Sequence, residues 1–205
     1  RDLHSFPTRR SSDLCAGMCM SALWYFTEER LKGGSQLYHK YDKPTLANAA
    51  KLWQDNSTGI KLASMVQYDY ARYDGTYENA IRRIAKDKTK DSLSWYAFAY
   101  SILQTRQPQF IGIWSSTGGG HALIANQVWF SNGELWISDP NHPGNRSLSI
   151  HYIDNEFEPY YASLDAGANP KNFEFIAYYG KTSVVDWKQL TRRWEEAEDG
   201  TIGRE

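Results

Sequence analysis

The chain has 205 residues, 23 basic against 24 acidic, for a formal net charge of −1. That length suits one domain whose core needs no staples, and the balanced charge excludes a nucleic-acid binder relying on a general positive field. Two Cys exclude a disulfide scaffold and a four-thiolate zinc site, and no apolar run approaches the ~20 residues needed to cross a bilayer. At 41% hydrophobic and 23% charged, the composition is that of a soluble globular chain. The aromatic load of 8 Trp, 14 Tyr and 8 Phe suits a β-rich half with clefts but names no function.

The run from His4 to Leu14, His-Ser-Phe-Pro-Thr-Arg-Arg-Ser-Ser-Asp-Leu, resembles a translated sequencing adapter. The resemblance implies that residues 1–14 are non-native and that one domain spans 15–205, truncated at its N-terminus. Setting 1–14 aside removes three Arg and two Asp, so the charge argument stands. From Cys15 to about Leu31 the spacing predicts a helix, with Cys15, Met18, Cys19, Ala22, Leu23 and Phe26 on one face and Gly33-Gly34 as its stop. A second helix is expected from about Thr45, with Leu46, Ala49, Ala50 and Trp53 inward. A third covers Gly59 to Ala71, with Ile60, Ala63, Val66 and Tyr70 inward. Thr76 caps a fourth, carrying Tyr77, Ala80, Ile81 and Ile84 on its core face. A fifth begins at Asp91, with Leu93, Tyr96, Ala97, Tyr100 and Leu103 on one side, and stops before Pro108.

The texture then changes. Residues 110–114 and 121–130 read as strands separated by Gly118-Gly-Gly120, and Asn132-Gly133 is a hairpin signal leading into 134–138. Asp139-Pro140-Asn141 ends that strand. Residues 147–153 and 172–179 read as further strands, and 184–198 as an amphipathic helix through Val184, Trp187, Leu190 and Trp194. Helices first and an antiparallel sheet after them argue for an α+β fold.

Three residues form an order with chemical meaning: Cys15 opening a helix, His121 opening a strand and Asp139 ending the next. A thiol becomes a useful nucleophile as thiolate, and a helix N-terminus favours that charge. An imidazole takes the thiol proton and returns it to the leaving group, while a carboxylate on the far ring nitrogen fixes the tautomer. Gly119 and Gly120, just before His121, leave room for an extended peptide and are candidate substrate-binding residues, as is Asn141. Cys19, one turn after Cys15, is the rival nucleophile. A strict two-residue Asn132-Gly133 turn would set Asp139 opposite Asn126, roughly 17 Å along the strand from His121 at ~3.4 Å per residue and on the other face. The triad therefore requires a longer or bulged connection; otherwise Asn141 is the first substitute for Asp139.

Cys15-Ala-Gly-Met-Cys-Met with Trp24 and Tyr25, Gly120-His121-Ala122, and Asp139-Pro140-Asn141 together resemble the YopT-type cysteine peptidases. The resemblance implies a papain-like fold, a Cys15-His121-Asp139 triad and an endopeptidase acting on protein substrates, with no metal or organic cofactor. It also implies a bacterial effector or toxin, secreted or delivered into a host cell, although two free Cys equally fit a reducing cytoplasm. The oxyanion side chain upstream of the Cys falls in the adapter-like stretch, which leaves the Cys15 backbone N–H as donor. Two other readings remain open: a transglutaminase-like acyl transferase, and an inactive aromatic-rich binding module.

Overall fold

The computed structural model describes residues 14–35, 37, 40, 57–73, 75–142, 145–162 and 171–204. The adapter-like run before Leu14 and the helix expected from Thr45 to Trp53 lie outside the described residues. The architecture is α+β, with helices and an antiparallel sheet. Among the described residues, no helix is long and apolar enough to cross a membrane. The chain divides into two compact units, Arg1–Tyr73 with Val185–Glu205, and Asp74–Val184.

Among the described residues, the first unit holds the α-helices α1 (Cys15–Glu28), α2 (Thr58–Arg72) and α5 (Trp187–Glu198). α1 ends near the expected stop, where a 3-10 turn at Arg30–Lys32 hands over to Gly33 at φ 97°, a conformation glycine adopts without penalty. The expected single apolar face of α1 is too narrow: Met18, Ala22 and Phe26 are only half-buried, while Ala16, Gly17, Met20, Trp24 and Tyr25 are buried. Partners on two sides explain this. A Cβ on Gly17 would stand 2.0 Å from the Ala63 carbonyl oxygen, so α1 and α2 pack backbone to backbone at that point. On the other side Trp24 stacks on Trp194 of α5 at 4.9 Å and donates its indole N–H to Thr191 Oγ1 at 2.9 Å. α5 starts at Trp187, three residues after the expected Val184, because Asp186 caps it by accepting the Lys188 N–H.

The second unit holds α3 (Gly75–Ala85), α4 (Asp91–Thr105) and eight strands. The strands are β1 (Gln109–Trp114), β2 (Gly120–Trp129), β3 (Glu134–Ser138), β4 (Ser149–Ile153), β5 (Glu156–Phe157), β6 (Tyr160–Ala162), β7 (Lys171–Phe173) and β8 (Phe175–Tyr179). Six of them form one sheet in the order β5-β4-β3-β2-β1-β8, and β6 pairs with β7. The expected strand over 172–179 is two strands broken at Glu174, which turns aside to accept the Ser116 N–H and hydroxyl at 2.6 and 2.8 Å. Its carboxyl is held below the usual carboxylate range by those two bonds, and they pin the β1–β2 loop.

α4 corrects the expected facing. The residues turned to the core are Trp95, Phe98, Ala99 and Ile102, which pack with Ile111, Ile113, Leu123 and Ile176. Leu93, Tyr96, Tyr100 and Leu103, expected inward, are exposed, Tyr100 to 59%. The helix is apolar on both sides, so periodicity alone does not choose between them. α3 is corrected likewise: only Ala85 is buried, and Thr76 lies inside the helix rather than capping it.

Candidate active site

His121 and Asp139 come together in the second unit. His121 Nε2 lies 2.8 Å from Asp139 Oδ1, and the two residues are 5% and 2% exposed. Two features of the β2–β3 hairpin bring this about. The connection spans four residues, because Phe130–Asn132 form a 3-10 turn closed by Gly133 at φ 62°, with Trp129 paired to Glu134. Gly133 is required twice over, since a Cβ there would also lie 2.1 Å from the Tyr152 carbonyl oxygen.

The second feature is a bulge. Gln127 pairs with Trp136 but Ala125 pairs with Ile137, so Asn126 is the extra residue. Ile124 then meets Ser138, and continuing this register sets Asp139 across from Leu123, two residues from His121 and on its face. Without the inserted residue, Asp139 would fall across from Ile124 and point to the opposite face, since strand side chains alternate. Asn126 anchors the bulge by donating from Nδ2 to Ser138 Oγ at 2.8 Å.

Asp139 is heavily engaged. Oδ1 accepts from His121 Nε2–H and from the Asn141 backbone N–H at 2.8 Å, and Oδ2 accepts from the Tyr160 hydroxyl at 2.8 Å. The His142 N–H donates to the Asp139 carbonyl at 2.9 Å, closing a turn with Pro140 at the position that suits its fixed φ. Burial works against the carboxylate, but the His121 hydrogen bond and charge, the Asn141 N–H and Tyr160 together hold Asp139 below its ordinary range. The ionised carboxylate can only accept, so Nε2 carries the proton and Nδ1 is the basic nitrogen of the neutral ring.

The Asn141 side chain stands 3.5 Å from Nε2 through its own amide nitrogen. Two donors do not bond each other, so Asn141 serves this pair through its backbone. Gly118 and Gly119 have φ of 99° and 88° and form the β1–β2 turn. At Gly120 a Cβ would meet the Trp114 ring at 2.9 Å. The missing side chain there makes way for Trp114 within the unit.

Cys15 belongs to the first unit. It is the first residue of α1, 7% exposed, after an N-cap Leu14 whose side chain makes no cap bond. Cys19 is 1% exposed one turn later, and the two are not joined in a disulfide. In the same first turn the Gly17 N–H donates to Gln67 Oε1 of α2 at 2.9 Å. Cys15 thus holds the position where the helix N-terminus favours a negative charge, and Cys19 lies beyond it.

Two participants escaped the sequence reading, Tyr160 and Asn126. Asn126 had a signal: core positions run Leu123, Ala125, Val128, and the three-residue step breaks strict alternation. Tyr160 had none, being one of 14 Tyr. Among the described residues, no cluster of three or more His, Cys, Asp or Glu is arranged to hold a metal. No family model, curated protein or solved structure matches the chain.

Proposed function

We propose that the chain is a papain-like cysteine endopeptidase of YopT type. The observation that carries the reading is the buried His121–Asp139 pair, with Nε2 committed to the carboxylate at 2.8 Å and Nδ1 left as the base. Cys15, at the start of α1, supplies the nucleophile. Its thiol gives a proton to His121 Nδ1 as sulfur attacks the scissile carbonyl. Collapse of the tetrahedral intermediate breaks the C–N bond, and the imidazolium protonates the departing amine. Water, deprotonated by the same nitrogen, then hydrolyses the thioester and releases the thiol. Asp139 stays ionised throughout, holds the ring in the productive tautomer and stabilises the imidazolium. Gly119, Gly120 and Asn141 are assigned to the peptide, and the likeness to YopT-type peptidases extends the reading to an effector acting on host proteins.

Alkylation by iodoacetamide across pH tests the thiol–imidazole partnership directly. Cys15 is expected to react ahead of Cys19, and His121→Ala to change the dependence of its alkylation on pH. Cleavage of a proteome digest, mapped by mass spectrometry, is expected to fall by ~10³-fold or more in Cys15→Ala. Equal labelling of Cys15 and Cys19, or a profile indifferent to His121→Ala, overturns the reading. Incorporation of an added amine in place of hydrolysis reassigns the chain to acyl transfer.

A further inference from the structure

We propose that Tyr160 is a positioning residue for the His121–Asp139 pair, locking the carboxylate through its second oxygen. The inference rests on reading that pair as the proton-handling centre. His121 and the Asn141 N–H both engage Oδ1 of Asp139. A carboxylate held at one oxygen can turn about its Cβ–Cγ bond and present the other, which would carry the imidazole out of line. The Tyr160 hydroxyl on Oδ2 at 2.8 Å removes that freedom.

The placement of Tyr160 follows from the small two-stranded sheet. In the β6–β7 register Tyr160 stands directly opposite Phe173. Phe173 is buried and its ring lies 6.0 Å from that of His121. One cross-strand pair therefore touches both members, Phe173 the imidazole and Tyr160 the carboxylate. Tyr160 is itself buried at 7% exposure. Burial and the neighbouring Asp139 charge push its phenol well above the ordinary range, so it remains an O–H donor over the working range of the pair. No other donor side chain reaches Oδ2 among the described contacts of Asp139.

The test follows His121 by ¹⁵N-edited NMR in the full chain, so that the pair is read independently of turnover. In Tyr160→Phe the carboxylate loses a donor and keeps more charge for the imidazolium. The His121 titration midpoint is then expected to rise by about half a pH unit or more, with a displaced Nε2–H resonance. Difluorotyrosine at position 160 keeps the shape but donates more strongly, and is expected to move the midpoint down; it decides alone if Tyr160→Phe fails to fold. In peptide cleavage, Tyr160→Phe is expected to lower kcat ~10-fold with KM within ~2-fold. A midpoint unmoved by the substitutions, or moved the same way by both, overturns the proposal. Opposite shifts in a protein that cleaves nothing sustain the role of Tyr160 and sink the peptidase reading instead.

Discussion

Asp139 keeps a carboxylate almost entirely out of water, and burying such a charge costs several kcal/mol unless donors replace the lost hydration. Here the donors are His121, the Asn141 N–H and Tyr160. With its native pKa lowered, Asp139 contributes stability that is full above the unfolded carboxylate pKa of ~3.9 and is lost as pH falls through the native value. Asp139→Asn is therefore expected to destabilise the chain by about 1–3 kcal/mol near neutrality, with the gap in melting temperature closing below pH ~4. A gap that persists unchanged at low pH would mean the loss is one of packing. His121 and Asp139 could be named from sequence because each sits at a strand end beside Gly or Pro, where turn chemistry is local. Tyr160 could not, because its role depends on β6 folding next to the end of β3.

At the scale of elements, the hairpin and α4 teach opposite lessons about periodicity. In β2 the two-residue alternation fails at Asn126, and that failure delivers Asp139 to the His121 face. In α4 the apolar pattern is present on both sides, and the stripe that looks like core is the one left exposed. The buried side wins because Phe98 and Ile102 mesh with the sheet, whereas Tyr96 and Tyr100 meet each other and, through Tyr96, the ring of Phe130. Equilibrium denaturation separates the two faces. Phe98→Ala is expected to cost about 3–5 kcal/mol, whereas Tyr100→Ser should stay within about 0.5 kcal/mol. Comparable losses from the two substitutions would contradict this facing.

For the whole molecule, the second unit is continuous in sequence and the first is not. The main hydrophobic cluster, from Trp95 to Ile176, lies wholly within 74–184. A fragment of those residues is expected to unfold cooperatively and to retain the His121 Nε2–H resonance, because the hydrogen-bond partners of Asp139 among the described residues are internal to it. The first unit needs α5 from the far end of the chain to cover Trp24 and to place Arg193 against Asp69 at 2.8 Å, so residues 1–73 alone should not hold their fold. A featureless spectrum from the 74–184 fragment would show that its core is not self-sufficient.

Among the described residues, the sequence by itself determined the class of fold, the helices at α1 to α5 and the strands β1 to β4, the stop after α1, the hairpin at Gly133 and the two residues of the buried pair. Each of these is written in neighbouring residues: a 3.6 or 2 period, a positive-φ glycine, a proline turn. Only the tertiary structure decided the parity that sets Asp139 beside His121, the face of α4 that is buried, the break of the last strand at Glu174 and the contact from Tyr160. These depend on hydrogen-bond register and on side chains distant in sequence; only the bulge leaves a local trace, in the three-residue step from Ala125 to Val128.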